Sequence, residues 1–248
     1  MGEAVATRDR RRSARPPEHG GTGSYLLRLV VPDRPGILGA VATALGEAGI
    51  DIVSVDVLER GGGVAVDDVV VDLPPDRLPD SLITAAHSMP GVQVESLRPF
   101  AGPLDTHREL ELLEELSRAA TPGPPTLATK LLAAELPRVF HSGWAVVLSG
   151  DGDGPCEVLA ASDAAPSFDG MTVPWLPLSN ARLLPSEDDW LPERWREMAI
   201  EMMATSFGSP RTAVVIGRSG GPAFRRSELL RLVHLTGIAA SVVHLPPA

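Results

Sequence analysis

Residues 33–52 read DRPGILGAVATALGEAGIDI, and the pattern of turn and helix residues here predicts the fold of the first part of the chain. Pro35 restricts φ to about −65°, and Gly36 can adopt backbone conformations that other residues avoid, so the pair predicts a tight turn. The residues behind the turn that share one apolar helical face are Ile37, Leu38, Val41 and Leu45. Their spacing predicts a helix over 37–48, which Gly49 ends.

Strands are predicted on both sides of this turn and helix, because the flanking segments are rich in β-branched residues. The predicted strands cover 25–31, 50–59, 64–73 and 92–98, and a second helix covers 78–88. Three glycines at 61–63 predict a hairpin between the second and third strands. The order β-α-β-β-α-β is that of a ferredoxin-like domain, in which both helices cover one face of a four-stranded antiparallel sheet.

The rest of the chain predicts a second antiparallel sheet with flanking helices. Helices are expected over 107–120, 126–140, 190–205 and 224–243, and strands over 144–149, 157–162, 171–177 and 212–218. Thr106 and Glu109 have the spacing of a capping box at the start of the first of these helices. The Asp-Gly turn within 151–154 predicts a hairpin between the first two strands. The predicted fold class is therefore α+β.

Charge and composition argue against nucleic acid and membranes as partners. The chain has a net charge of −10, whereas residues 1–22 hold five arginines against three acids, which leaves about −12 for the remainder. An acidic body repels phosphates and anionic lipids. The Arg- and Pro-rich residues 1–23 are predicted to be a disordered tail. With a single cysteine and no long apolar run, the sequence predicts a cytoplasmic protein.

The stretch 33–52 resembles the signature of ACT domains, small regulatory modules that bind amino acids, and the resemblance extends over about 24–99. It implies a homodimer formed through this domain. It also implies an amino acid held between the turn and the second strand of a partner domain. The ligand-binding residues that it implies are Asp33, Arg34, Pro35, Gly36, Ile37 and Leu38 of the turn, and Asp51 and Ile52 of the facing strand.

Three of these residues also allow a simpler interpretation. Asn is frequent in the family where Asp51 stands, and an ionised Asp accepts hydrogen bonds without donating them. Asp51 would therefore bind the ammonium group of a ligand and repel its carboxylate, or it would be a solvated charge at the end of a strand. The Pro35–Gly36 pair is equally compatible with a purely structural turn between strand and helix.

The C-terminal part, 106–245, resembles a GAF domain, mainly through AVVIGRSGGPAFRRSELLRLVHLTGIAASVV at 213–243. GAF domains bind cyclic nucleotides, haem, bilins or small metabolites, or only dimerise. No cofactor is predicted here, because Cys156 is interpreted as a small buried hydrophobic residue and His234 as a structural histidine. Three tryptophans would either line a pocket or form core: Trp175, Trp190 and Trp195.

These observations favour a small-molecule sensor over an enzyme. The sequence contains no recognised nucleophile or metal motif, and the adjacent pairs Asp67–Asp68 and Asp188–Asp189 are interpreted as solvated charges. The predicted organisation is a tail at 1–23, an ACT domain at 24–100, a linker at 101–105 and a GAF-like domain at 106–245. A scaffold that dimerises without binding a ligand remains the alternative function.

Overall fold

The computed structural model describes residues 23–100, 107–120 and 125–243. Three sequence predictions therefore fall wholly or mainly outside the described residues: the basic tail, the linker at 101–105 and the capping role of Thr106. Among the described residues, no helix combines the length and the apolar character needed to cross a membrane. The described residues form two antiparallel sheets, one in the N-terminal half (residues 23–100) and one in the C-terminal half (residues 107–243).

The N-terminal half has the predicted ferredoxin-like order. Its elements are β1 (Gly23–Pro32), α1 (Ile37–Glu47), β2 (Asp51–Gly61), β3 (Val64–Leu73), α2 (Asp80–His87) and β4 (Gln93–Pro99). The strands pair antiparallel in the order β2-β3-β1-β4. Both helices pack on one face of this sheet, where the core includes Leu27, Leu29, Val41, Leu45 and Leu82.

Two glycines set the limits of α1. Gly36 stands at the N-cap with φ of 86°, and Gly49 follows the C-terminal end with φ of 75°. At the C-terminal end, the Ile50 amide donates to the Leu45 carbonyl at 3.0 Å and the Gly49 amide donates to the Gly46 carbonyl at 2.9 Å. This pair of bonds is a Schellman motif, which satisfies carbonyls that the helix itself leaves unpaired. The predicted turn and helix stop are therefore confirmed.

The C-terminal half contains the predicted antiparallel sheet, in the order β6-β5-β9-β8-β7. Its strands are β5 (Trp144–Ser149), β6 (Glu157–Ala161), β7 (Arg182–Leu184), β8 (Ile200–Phe207) and β9 (Ser209–Ser219). Its helices are α3 (Arg108–Ala120), α4 (Pro125–Val139), α5 (Glu193–Glu197) and α6 (Arg226–Val242). One apolar cluster lies under α3, α4 and α6, and a second includes residues of the irregular segment that follows β6. The predicted α+β fold class is confirmed.

Two local predictions in this half are wrong. The helix expected over 190–205 is limited to α5, and the residues that follow form β8. Met, Ala and Glu in this segment favour a helix locally, but β8 lies between β9 and β7 with Met203 and Met202 buried on opposite faces. Burial of side chains on both faces of the sheet therefore favours a strand over a helix at these residues. In place of a strand over 171–177, Thr172 forms a single bridge to Pro155, and the third strand is β7.

The prediction that Asp67 and Asp68 are solvated is also wrong, since their exposed fractions are 1% and 5%. Consecutive residues of β3 point to opposite faces of the sheet. Asp67 therefore lies on the face that carries α1. Asp68 lies on the other face, opposite Arg28 of β1.

Buried ion pairs centred on Arg28 join the two halves. The Arg28 guanidinium donates to the two Asp68 carboxylate oxygens at 2.7 and 2.8 Å and to those of Glu228 in α6 at 3.2 and 3.3 Å. Glu228 also accepts a 2.8 Å hydrogen bond from Arg218 of β9 and a 2.7 Å bond from the Arg225 amide at the start of α6. We refer to Arg28, Asp68, Arg218 and Glu228 as the junction network.

The charges of the junction network support each other. Burial alone would raise the pKa of Glu228, but Arg218 and Arg28 outweigh it and hold the pKa below its usual value. Burial alone would lower the pKa of Arg28, but its hydrogen bonds to Asp68, together with the charges of Asp68 and Glu228, reverse that effect. Glu228 is therefore kept charged by arginines from both halves, and Arg28 by acids from both halves.

We expect Glu228→Ala to lower the free energy of unfolding by about 3–5 kcal/mol, because it removes the carboxylate partner of buried Arg218 and one of the two carboxylate partners of Arg28. The matched control is Glu95→Ala, which removes the half-exposed ion pair with Arg225, also between the halves, and should cost about 1 kcal/mol or less. Urea denaturation at neutral pH measures both. The stabilising effect of Glu228 is present above pH 4.5 and is lost as the pH falls through its lowered pKa. Equal losses in the free energy of unfolding for Glu228→Ala and Glu95→Ala would contradict a special role of the buried ion pairs.

Candidate functional site

The turn between β1 and α1 forms one wall of an open cleft of about 460 Å³. We call this space the turn cleft. Its lining residues are Asp33, Arg34, Gly36, Ile37, Leu38, Gly39, Val57, Arg60, Ala65 and Asp67. They come from the turn, the first turn of α1, the end of β2 and the start of β3, which meet at one end of the sheet.

The backbone at Gly36 suits the approach of a ligand. Its φ of 86° lies in the left-handed region that favours glycine, and a Cβ built at this position would have no heavy atom within 4 Å. The missing side chain therefore leaves open space at the cleft. The first turn of α1 contains no acidic residue, and no side chain caps its amides. Such a helix end attracts an anionic group through its free N–H groups and its dipole.

An exposed ion pair lies at the rim of the turn cleft. The Nε of Arg60 donates to Oδ1 of Asp33 at 3.1 Å, and Nη2 of the same side chain donates to that oxygen as well. Arg60 is two-thirds exposed, so the pair contributes little to stability. Its position beside the turn allows it to orient a bound molecule.

Asp67 lies at the base of the cleft, and its environment is unusual for a carboxylate. It is 1% exposed, and within the described residues Oδ1 has no hydrogen-bond partner. Burial is the main cause that raises the pKa of this carboxyl group; the charge of Arg60 opposes it, and those of Asp68 and Asp33 add to it. A buried acceptor with an unused oxygen at an open cleft is a binding determinant for a donor.

Five of the predicted site residues line one space, whereas Pro35, Asp51 and Ile52 do not. Pro35 is exposed in the turn and does not line the cleft. Asp51 pairs in register with Asp72, which pairs with Ser24 at the start of β1. The turn follows the other end of β1, roughly 25 Å away along the strand. One chain alone therefore does not bring Asp51 to the turn.

Five lining residues were not predicted from the sequence: Gly39, Val57, Arg60, Ala65 and Asp67. The alternation of β3 contained the signal for Asp67, because Ala65, Val69 and Val71 share its face and belong to the core. An acid in that register must be paired or lie at a site. The position of Arg60 depends on how far the hairpin extends, and no local pattern indicated it.

A larger cleft of about 670 Å³ lies between the two halves, against β2, α3 and α6. Several of its charged side chains are already paired. Arg231 of α6 pairs with Glu109 of α3, and Arg138 pairs with Glu135 at 3.4 Å. Glu228 belongs to the junction network. These pairs make the larger cleft less suited than the turn cleft to bind a charged ligand.

Aromatic side chains fill the sheet face of the C-terminal half that α3, α4 and α6 leave uncovered. Phe168 packs between Trp144 and Trp195 with ring centroids 5.9 and 5.0 Å away, and Trp175 packs against Trp190 at 5.8 Å. Trp195, 2% exposed, is therefore core, whereas Trp175, 8% exposed, belongs to the core cluster and also lines an open cleft of about 490 Å³ beside β7.

The other side chains considered as cofactor ligands have ordinary surroundings. The Cys156 thiol is buried and donates to the Phe168 carbonyl at 3.6 Å, and burial raises its pKa. His234 lies on the exposed side of α6, so its interpretation as a packed structural histidine is wrong. The Leu232 and Leu235 side chains beside it in the sequence are the ones that face the core.

Comparison with known proteins identifies one family. The ACT domain family model matches residues 25–90. No curated protein matches the sequence. Among solved structures, the C-terminal domain of MgtC from Mycobacterium tuberculosis is 14% identical, with 34% of this chain and 93% of that chain covered and a TM-score of 0.28.

Two phytochrome structures also match. The photosensory core module of the Stigmatella aurantiaca phytochrome is 13% identical, with 79% of this chain and 42% of that chain covered and a TM-score of 0.42. The chromophore-binding domain of RpBphP3 from R. palustris is 12% identical, with 91% and 94% covered and a TM-score of 0.38. At these scores, the matched structures assign no ligand or activity to this chain.

We expect Asp67→Asn to raise the free energy of unfolding at neutral pH in the absence of added ligand. Because the pKa of Asp67 is raised on folding, its ionised form destabilises the folded state as the pH rises above 3.8. Asn removes that charge while keeping the size of the side chain. Urea denaturation at neutral pH, and again well below pH 3.8, measures the difference in the free energy of unfolding between Asp67→Asn and the wild-type chain. This difference should disappear at the lower pH.

Asp72→Asn is the control on the same strand. The Asp72 carboxylate already accepts a 2.6 Å hydrogen bond from Ser24, so its replacement should give no gain in stability. A loss of stability in Asp67→Asn at neutral pH would show instead that the ionised carboxylate has a stabilising partner.

Proposed function

We propose that this chain, whose residues 25–90 form an ACT domain, is a regulatory protein that senses an amino acid in the turn cleft. The observation that carries the proposal is the open cleft at the Gly36 turn, where uncapped helix amides meet a buried carboxylate. The first can bind a carboxylate and the second an ammonium group. An α-amino acid carries both groups.

We propose binding rather than catalysis at this cleft. The Asp33 carboxylate is paired with Arg60, and the lining residues include no Ser, Thr, Cys, Lys or His to act as a nucleophile or a general base beside Asp67. The C-terminal half, which resembles a GAF domain in sequence, is joined to the ACT domain by the junction network. This contact supports the proposal that the C-terminal half responds to occupancy of the cleft.

The edge strand β2 favours a second function, dimerisation, with or without a ligand. β2 is eleven residues long, lies at the edge of its sheet, and exposes Val53, Val55 and Val57 by 41–49%. A long edge with exposed β-branched residues is a template for pairing with another chain. Pairing of two copies through this edge is consistent with the dimerisation expected of an ACT domain.

Isothermal titration calorimetry with the twenty common amino acids tests the sensing function. We expect at least one to bind the wild-type chain and Gly36→Val to abolish that binding, because the valine side chain would occupy the open space at the turn. The left-handed φ at Gly36 also costs the variant about 1–2 kcal/mol of stability.

Gly49→Val is the matched control for this test. Gly49 has a similar φ of 75° and equally open surroundings at the other end of α1, away from the cleft. Gly49→Val should lose a similar amount of stability to Gly36→Val and still bind the amino acid. If Gly36→Val melts like Gly49→Val and binds the amino acid with unchanged affinity, the turn is merely structural. If no amino acid binds the wild-type chain, the sensing function is wrong and the dimerisation scaffold is favoured.

We expect a homodimer at micromolar concentration, measured by size-exclusion chromatography with light scattering. Val55→Lys should shift it toward monomer, because a charged side chain disfavours pairing at an edge strand. Leu183→Lys is the control, since Leu183 is exposed to a similar degree, 40% against 41%, on the edge strand β7 of the other sheet. A wild-type monomer would overturn the proposal of a dimer.

A further inference from the structure

Asp67 is the one acidic residue lining the turn cleft that is almost fully buried. Its neighbours across the sheet are Leu29 of β1 and Val57 of β2, which provide no hydrogen-bonding side chains. Within the described residues, no group donates to its Oδ1, although the cleft opens beside it. A carboxylate in this position is costly unless something binds it.

The charged groups around Asp67 do not supply that partner. Arg60 of β2 is engaged with Asp33 of the turn. Asp68, the next residue of β3, points to the other face and pairs with Arg28. From α1, the cleft receives Ile37, Leu38 and Gly39, none of which carries a charge.

The turn side of the cleft has the complementary character. Arg34 lines it and is exposed, and the first turn of α1 has neither an acidic residue nor a side-chain cap. The cleft thus combines a negative base with a positive rim. Between them, Ile37, Leu38, Val57 and Ala65 provide an apolar wall.

We infer that Asp67 accepts the ammonium group of an amino acid whose carboxylate faces Arg34 and the start of α1. This inference rests on the proposed function and deepens it. It places the ammonium contact within one chain, at Asp67, rather than at Asp51 of a partner strand. The apolar wall favours an amino acid with an aliphatic side chain.

An ammonium group fits this site better than a metal ion. Ca²⁺ and Mg²⁺ require several oxygen ligands. The described residues contain no group of three or more His, Cys, Asp or Glu side chains that could hold a metal. A single buried carboxylate oxygen with an apolar wall beside it suits one N–H donor and the hydrocarbon attached to it.

The test is calorimetry with the same twenty amino acids on Asp67→Asn, Asp72→Asn and Asp51→Asn. We expect Asp67→Asn to weaken binding of any amino acid that binds the wild-type chain by at least about tenfold, since a hydrogen bond to a charged group is lost. Asp72→Asn, on the same strand but outside the cleft, should bind with wild-type affinity. Circular dichroism on the same samples confirms that each variant is folded.

The pH dependence of binding separates a direct contact from a structural effect. In the wild-type chain, affinity should rise from pH 3.8 toward neutrality as Asp67 ionises, and Asp67→Asn should lose this dependence. For each amino acid that binds, the analogue without its amino group should bind the wild-type chain at least about tenfold more weakly.

The outcomes distinguish this inference from the proposed function. If an amino acid binds the wild-type chain and Asp67→Asn with equal affinity, the inference is overturned and the sensing function stands. The same holds if Asp51→Asn alone weakens binding, which would place the ammonium contact on the partner strand. If no amino acid binds the wild-type chain, both fail together.

Discussion

The burial of Arg28 is the constraint on which the arrangement of the two halves depends. An arginine that is 1% exposed on a sheet face must have counterions within reach. Asp68 is its neighbour on the adjacent strand, and Glu228 arrives from the other half of the chain at the start of α6. Because a guanidinium binds carboxylates with strict geometry, the start of α6 has little freedom over this sheet.

The same contact organises the C-terminal half. Glu228 accepts the Arg225 amide and so caps α6, and it holds Arg218, whose guanidinium stacks 3.8 Å from the ring centre of Phe224. The Glu228 carboxylate therefore contacts the start of α6, the end of β9 and, through Arg28, the N-terminal half. Asp67 provides the contrast one residue before Asp68, since its buried Oδ1 has no hydrogen-bond partner within the described residues. This difference between two consecutive acids supports the proposal that Asp68 is structural and that Asp67 serves a site.

The sequence predicted the features that depend on local chemistry. Pro35, Gly36 and Gly49 specify backbone conformations directly, so the turn and both limits of α1 were predicted close to their observed positions. β8 was not predicted because its Met and Ala residues favour a helix locally, whereas in the fold this segment pairs with β9 on one side and β7 on the other. Arg28 and Glu228 are separated by 200 residues, so no local pattern could reveal their contact. Asp67 was misjudged although its register in β3 showed that it faces the core.

The distribution of aromatic residues gives the molecule a built-in optical reporter. All four tryptophans lie in the C-terminal half, at 144, 175, 190 and 195, and none of them lines the turn cleft. Indole emission therefore reports on the C-terminal half alone. A change in emission when a small molecule enters the turn cleft would be a rearrangement that had travelled across the contacts between the two halves, recorded without a label.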